Sequence, residues 1–384
     1  MPHHLRRRSS SRKFSNINKN KVFHQKIIKT VNKLSKRSYV KSKYRNRSRN
    51  NKRLINMSSP KPFRLPTHFW HCKRFHMITK YKYRLPFCTT SKTYRPVHKN
   101  MKSSVVVQDI SYLSTLKITG PFHQIKSIFL NHINFVKDIQ PCIEYLVLFY
   151  RLLLNPNSLL GPIRIAFIEV INCEACVLLW CHPIITDNII NALRESTSKH
   201  DLKVTLIDGL ARLRFVGPLS MRLLSNIFID EDSSVDNKPC ESLSKCPVSP
   251  YDFPTSKIFG LTFDSSKLNK KHGSIYAREE LEFHSPNKND VDRLISGSLS
   301  TILEILCKPC SNTSSIKAAA LIVLNNDMEQ CNKPLENVSI QELNSGVDVI
   351  FNSIHATAIL NCCVINGSCV GGLREYLTIA RDSF

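Results

Sequence analysis

No aspartate or glutamate occurs before Asp109, whereas the same stretch holds 30 lysines and arginines. The remaining residues carry 25 basic against 29 acidic side chains, so all of the excess behind the net charge of +26 lies in the first 108 positions. A block of one sign repels itself until a polyanion neutralises it. The chain is therefore expected to divide into a polycation and a nearly neutral body. RNA, DNA and anionic membrane suit such a polycation. Membrane suits it least. The most apolar stretch, Ile143 to Leu154, carries Glu144 and Arg151 and falls short of the roughly 20 apolar residues of a spanning helix. The opening MPHHLRRRSSSRK has no apolar segment after its charges, unlike a secretory signal. The basic block also outruns a mitochondrial presequence.

Residues 1–60, rich in Lys, Arg, Ser and Asn, read as an arm that is disordered when unbound. Lys43, Arg45, Arg47, Arg49, Lys52 and Arg53 are its candidate phosphate contacts, and the same runs suit nuclear import receptors. Residues 61–103 read as a basic and aromatic RNA-binding segment. Thr67 after Pro66 is an N-cap signal for a helix expected to run to about Tyr83. On that helix Trp70, Met77 and Tyr81 would form an apolar stripe, with Lys73, His76 and Lys80 beside it. His68, His71, Arg74, Phe75, Lys82, Tyr83, Lys92, Tyr94 and Arg95 complete the candidate RNA contacts. Rings can stack on unpaired bases while cations hold phosphates. For Trp70, core packing is the favoured reading over stacking.

Residues 104–230 read as a folded α+β body. Leu116-Lys-Ile118 alternates as a half-buried strand does, and Val177 to Cys181 reads as a buried strand. Thr186 is expected to open a helix with Ile189, Ile190 and Leu193 on one face. Lys203 to Ile207 and Leu210 to Val216 read as a strand pair. Ile110 to Pro121 aligns with Ile207 to Pro218, 97 positions later. Both read as a strand ending at Gly-Pro before a helix, which suggests a duplicated sheet scaffold. Residues 231–290 read as a linker or insertion, and residues 291–384 return to regular patterning, with a helix expected over Leu294 to Leu306. The two CxxC pairs, Cys173/Cys176 and Cys307/Cys310, form no compact four-ligand cluster in the sequence, so no metal site is expected.

Several segments together resemble one family. Thr67-His-Phe-Trp-His-Cys-Lys-Arg-Phe-His-Met77 is similar to the T-H-x-W-H-A-K-R-F-H-M signature of the large "processing of precursor RNA, one" subunit of eukaryotic ribonuclease P and ribonuclease MRP. Lys43-Tyr-Arg-Asn-Arg47, Thr90-Ser-Lys-Thr-Tyr-Arg95, Gln108-Asp-Ile-Ser-Tyr112 and Phe215-Val-Gly-Pro-Leu-Ser220 also resemble its motifs. Val370-Gly-Gly-Leu-Arg-Glu375 resembles the second conserved module, POPLD. Cys72 stands where the family has Ala, and Val347 to Cys369 lacks the family's tryptophans. A shortened member with a partial second module is therefore expected. The body further resembles the folate-binding fold of glycine-cleavage T proteins.

The resemblance implies an RNA-binding scaffold of a nuclear and nucleolar particle. Its partners would be the particle's RNA, other protein subunits and, indirectly, tRNA and rRNA precursors. The RNA would make the cut with magnesium held on the RNA, and the protein would bind no cofactor. No catalytic residue is assigned. His68, His71 and His76 could imitate a histidine nuclease or, with Cys72, a metal cluster. At i, i+3 and i+8 of a helix, however, they would spread apart. The alternatives are a folate-dependent aminomethyl transferase, which would leave the long basic arm without a use, and a basic ribosomal or chromatin protein.

Overall fold

The computed structural model describes residues 62–90, 94–133, 141–152, 155–171, 174–197, 202–228, 257–265, 268, 299–307, 317–325, 346–375 and 377. The arm expected over residues 1–60 lies outside them. In chain order the strands are β1 (Phe63–Arg64), β2 (Phe75–Lys80), β3 (Tyr83–Thr89), β4 (Val106–Asp109), β5 (Ser114–Pro121), β6 (Glu144–Tyr150) and β7 (Leu159–Ile171). They continue with β8 (Glu174–Cys181), β9 (Lys203–Ile207), β10 (Leu210–Val216), β11 (Ile258–Asp264), β12 (Lys317–Asn325), β13 (Gly346–Asn352) and β14 (Cys369–Val370). The helices are α1 (His68–His71), α2 (Tyr94–Ser103), α3 (Phe122–His132), α4 (Thr186–Thr197), α5 (Ser220–Phe228), α6 (Leu299–Cys307) and α7 (Ala356–Ile365).

The fold is α+β. A five-stranded antiparallel sheet runs β6-β7-β8-β5-β9, and a six-stranded sheet runs β11-β12-β13-β10-β4-β14. Within β7 and β8, odd positions such as Ile165, Val177 and Leu179 enter the core shared with α3 and α4, while Ala166, Ile168, Leu178 and Trp180 enter the core of the six-stranded sheet. Burial on both faces explains why Val177 to Cys181 is apolar throughout. In β5, Leu116 and Ile118 are buried and Lys117 is half-buried, as their alternation predicts. Helix α4 turns Ile189 and Leu193 inward with Ile190 packed at their margin.

The internal repeat is realised once in each large sheet. Strand β5 ends at Gly120-Pro121 before α3, and β10 ends before Gly217-Pro218 and α5. Gly217 has φ +132°, and a Cβ there would collide with the Ser104 carbonyl, so a side chain is excluded twice over. The expected pairing of Lys203–Ile207 with Leu210–Val216 does not occur. β9 pairs with β5, whereas β10 pairs with β4 and β13. The turn at Asp208-Gly209, with Gly209 at φ +87°, sends the chain from one sheet to the other. The segment read as a linker contributes β11, which pairs along its whole length with β12. The helix expected over Leu294 to Leu306 is described from Leu299 to Cys307; the positions before it lie outside the described residues.

The two large sheets are joined by a buried ionic network. On β10, the Arg212 Nε donates to Asp348 of β13 at 2.7 Å, and its Nη2 donates to Glu144 of β6 at 3.0 Å. Arg214 donates to the two Asp348 oxygens at 2.8 and 2.9 Å, and Arg164 donates to Glu144 at 3.0 Å. The Arg212 guanidinium also lies 4.8 Å over the Trp180 ring. Burial alone would raise the Asp348 carboxyl, but the Arg212 and Arg214 charges hold it well below the usual carboxylate range.

Candidate nucleic-acid interface

The segment expected as one helix from Thr67 to about Tyr83 is instead a single helical turn followed by a hairpin. Helix α1 stops at His71, and β2 pairs antiparallel with β3 while β1 pairs parallel to β3. Tyr81 and Lys82 form the two-residue turn with φ of 56° and 65°, the left-handed pair that hairpins require and that Asn-Gly usually supplies. The local spacing of Trp70, Met77 and Tyr81 fits a helix. The β-branched and aromatic content of Phe75 to Thr79 fits a strand, and pairing with β3 decides between them.

Thr67 stands at the N-cap position of α1, but its hydroxyl accepts no cap hydrogen bond. Its hydroxyl donates to the Asp109 carboxylate, at the end of β4, and lies 2.9 Å from the His71 Nδ1. With that proton given to Asp109, His71 must donate from Nδ1, towards Thr67 Oγ1 and the Thr67 carbonyl at 3.1 Å. The His71 Nε2 is buried without a partner. Burial holds the His71 pKa below its ordinary value although Asp109 pulls the other way, so the imidazole is neutral. Trp70 and Phe75 are buried beside it, with ring centroids 5.1 and 5.2 Å from His71. The inward half of the signature is thus an anchor to the six-stranded sheet.

The outward half is cationic. Lys73, Arg74 and His76 are exposed, as are Lys80 and Lys82 on the hairpin and Arg64 on β1. Arg74 also serves the anchor: its guanidinium lies 4.4 Å over the Trp70 ring and donates to the Trp70 carbonyl at 3.1 Å. His68 is half-buried, and burial followed by the charges of Arg64 and Arg84 lowers its pKa. Tyr83 is half-buried beside Phe63; burial, then the Asp208 charge, raises its phenol pKa. Helix α2 packs Val97 and Met101 against Val106 and Val216, leaving Arg95, Lys99 and Lys102 exposed.

Of the residues singled out in the sequence, His68, Lys73, Arg74, His76, Lys80, Lys82, Tyr83 and Arg95 therefore stand at or near the surface, and Trp70, His71 and Phe75 face inward. The three histidines do not converge. Tyr94 opens α2. Lys43, Arg45, Arg47, Arg49, Lys52, Arg53 and Lys92 lie outside the described residues, as do Cys173 and Cys310. Among the described residues, no group of three His, Cys, Asp or Glu side chains could hold a metal ion. Two positions were missed from sequence. Asp109 is the carboxylate that the signature needs, and the Gln108-Asp-Ile-Ser-Tyr112 motif was its signal. Ser111 in the same motif fastens β10, exchanging hydrogen bonds with the Arg212 backbone at 3.0 and 3.3 Å.

The C-terminal Gly371-Gly-Leu-Arg-Glu375 closes on the same sheet. Gly372 sits against the Phe87 carbonyl of β3, where a Cβ would come within 2.6 Å, and its N–H donates to the buried Glu375 carboxylate at 3.2 Å. Arg374 lies over the Phe87 ring at 5.9 Å.

Together these features define a two-sheet α+β protein fronted by a cationic three-stranded sheet. Residues 15–121 match the family model described as "Ribonucleases P/MRP protein subunit POP1, N-terminal". The chain is 38% identical over 78 residues to the Schizosaccharomyces pombe "Ribonucleases P/MRP protein subunit pop1", and 26% identical over 145 residues to the human "Ribonucleases P/MRP protein subunit POP1". These matches cover 20% and 34% of this chain, and 11% and 14% of the two relatives. Through this region the chain is similar to the POP1 family, and it spans only a small part of the two relatives' length. Its fold is also similar to a solved glycine cleavage system aminomethyltransferase T from Bartonella henselae, at 9% identity and a TM-score of 0.49, over 83% of this chain and 62% of that one.

Proposed function

We propose that this chain is an RNA-binding scaffold subunit of ribonuclease P or ribonuclease MRP, working in the nucleus and nucleolus. It binds the particle's RNA and neighbouring protein subunits, and it supports 5′-leader removal from tRNA precursors and processing of rRNA precursors. The RNA makes the cut and holds the magnesium; the protein contributes positioning of that RNA. The observation that carries this reading is the division of the signature between a buried Thr67–His71–Asp109 anchor and an exposed cationic face. An anchor of this kind fixes where the cations stand, which a polyanion of defined shape requires and a loosely condensed one does not. The names of the two curated relatives support the choice of particle.

The test is to purify the tagged chain from its own cells and sequence the RNA that comes with it. Enrichment of one ribonuclease P or MRP RNA is expected, and that particle should cleave precursor tRNA or rRNA in magnesium. The chain stripped of RNA should leave a precursor tRNA uncut. Recovery of ribosomal RNA alone, or a discrete 5′ cut by the stripped protein, would overturn the proposal.

A further inference from the structure

We infer that Phe63 and Tyr83, flanked by Lys80, form a stacking platform for an unpaired RNA base; the inference rests on the RNA-binding reading above. Phe63 is a large apolar ring left 62% exposed, whereas Trp70 and Phe75 of the signature are 8% and 5% exposed and already packed. Of the two platform rings, Tyr83 is among the contacts expected from the sequence and Phe63 is an addition.

The exposed ring is held in place. The Phe63 N–H donates to the Lys82 carbonyl at 2.8 Å, and its ring centroid lies 5.5 Å from that of Tyr83. Phe63 is directly opposite Tyr83, and Tyr83 is directly opposite Lys80. Residues opposite one another on neighbouring strands share a face, so the two rings and the ammonium stand in one row. The row continues at the turn, where the Lys80 ammonium is 6.0 Å from the Tyr81 ring centroid and Tyr81 meets His182 edge-on at 4.3 Å. Two carboxylates of the body approach this end. Asp187 lies 3.9 Å from Lys82, and the Asp208 charge acts on Tyr83. Neither belongs to the row.

The chemistry of the occupant follows from this mixture. An apolar protein surface would cover Phe63 but strip water from Lys80 without replacing it. A nucleotide offers a π-face to the ring and a phosphate to the ammonium in one unit. A double helix hides its base faces, so the nucleotide must be unpaired.

The test uses the full chain with two probes about ten nucleotides long, matched to a single-strand site. One is an oligouridylate, and the other is the same ribose-phosphate backbone without bases. Wild type should bind the oligouridylate more tightly. F63A should lose about tenfold for it and nothing for the abasic probe, and F63W should restore the difference. F63L, which keeps apolar bulk without a ring, should behave as F63A does, at an unchanged melting temperature. K80Q should weaken binding of both probes. Equal affinity of wild type for the two probes, or equal losses on both in F63A and F63L, overturns the platform while leaving RNA binding intact. Failure of wild type to bind either probe removes the RNA-binding reading and the platform with it.

Discussion

Arginine is used in opposite ways in the small basic sheet and in the two-sheet body. In the body, Arg212 is 3% exposed and Arg164 and Arg214 are nearly buried, each donating to a carboxylate of Glu144 or Asp348. In the small sheet Arg64 and Arg74 face solvent, and no acid exists in the surrounding sequence to meet them. The charge of these body arginines is consumed by folding, whereas that of Arg64, Lys73 and Lys80 at the front stays exposed. The lesson is that composition separates these roles only at the level of blocks. Within the body, the network makes long-range pairs that no local pattern announces.

Breaking the network should give the largest effect on folding. Asp348→Ala leaves two buried guanidinium groups without their shared carboxylate, and a loss of about 3 to 5 kcal/mol is expected in urea unfolding. Thr67→Val attacks the seam between the two regions. It keeps the shape of the side chain but removes the hydroxyl between Asp109 and His71, and about 1 to 3 kcal/mol should be lost. RNA affinity should fall with it, because the cationic face loses its anchor.

Acid should reveal a smaller effect. His71 and His132 are both held neutral by burial, against the opposing pull of Asp109 on one and of the Tyr150 carbonyl hydrogen bond on the other. In the unfolded chain they titrate near pH 6.5. Their lowered pKa means that stability is complete above that pH and declines as pH falls below it, because only the unfolded chain then takes up the protons. Melting at pH 7.5 and 5.5 should show the decline, and His71→Gln should lessen it. The smallest change in stability, within roughly 0.5 kcal/mol, is expected for Lys73→Glu with Lys80→Glu, since both are exposed. The same pair should weaken RNA binding strongly and reduce its salt slope by about 0.7 to 0.9 for every phosphate that is no longer neutralised. An unchanged salt slope in that variant would erase the contrast between the two regions. Arg74 is a poorer target because it also covers Trp70.

Much of the body was legible. The apolar run at Val177 to Cys181, the Leu116–Ile118 alternation, helix α4 and the two strand–Gly-Pro–helix units all follow from local periodicity. The signature hairpin was not legible, because its turn uses Tyr81-Lys82 in place of the glycine-containing pair that marks such turns. Nor was the parting of β9 from β10. A two-residue Asp-Gly turn can join two strands of one sheet or lead into another, and the partners that decide, β5 and β13, lie far away in sequence. For the site, the cations were visible as residues and Trp70 as a core contact, but the inward placement of His71 and Phe75 was not. That placement depends on Asp109 and on the direction of β2.

The closure of Gly371-Gly-Leu-Arg-Glu375 on β3 also bears on how the chain is made. Strand β4 lies between β10 and β14, and β10 in turn waits for β13, so residues at the front are seated by residues synthesised much later. During translation the cationic segment leaves the ribosome long before its own supports exist. Pairings so distant in sequence are slow to form, and a bare polycation in a cell meets nucleic acid first. Orderly assembly then favours a partner that occupies the front until residues 346–375 arrive.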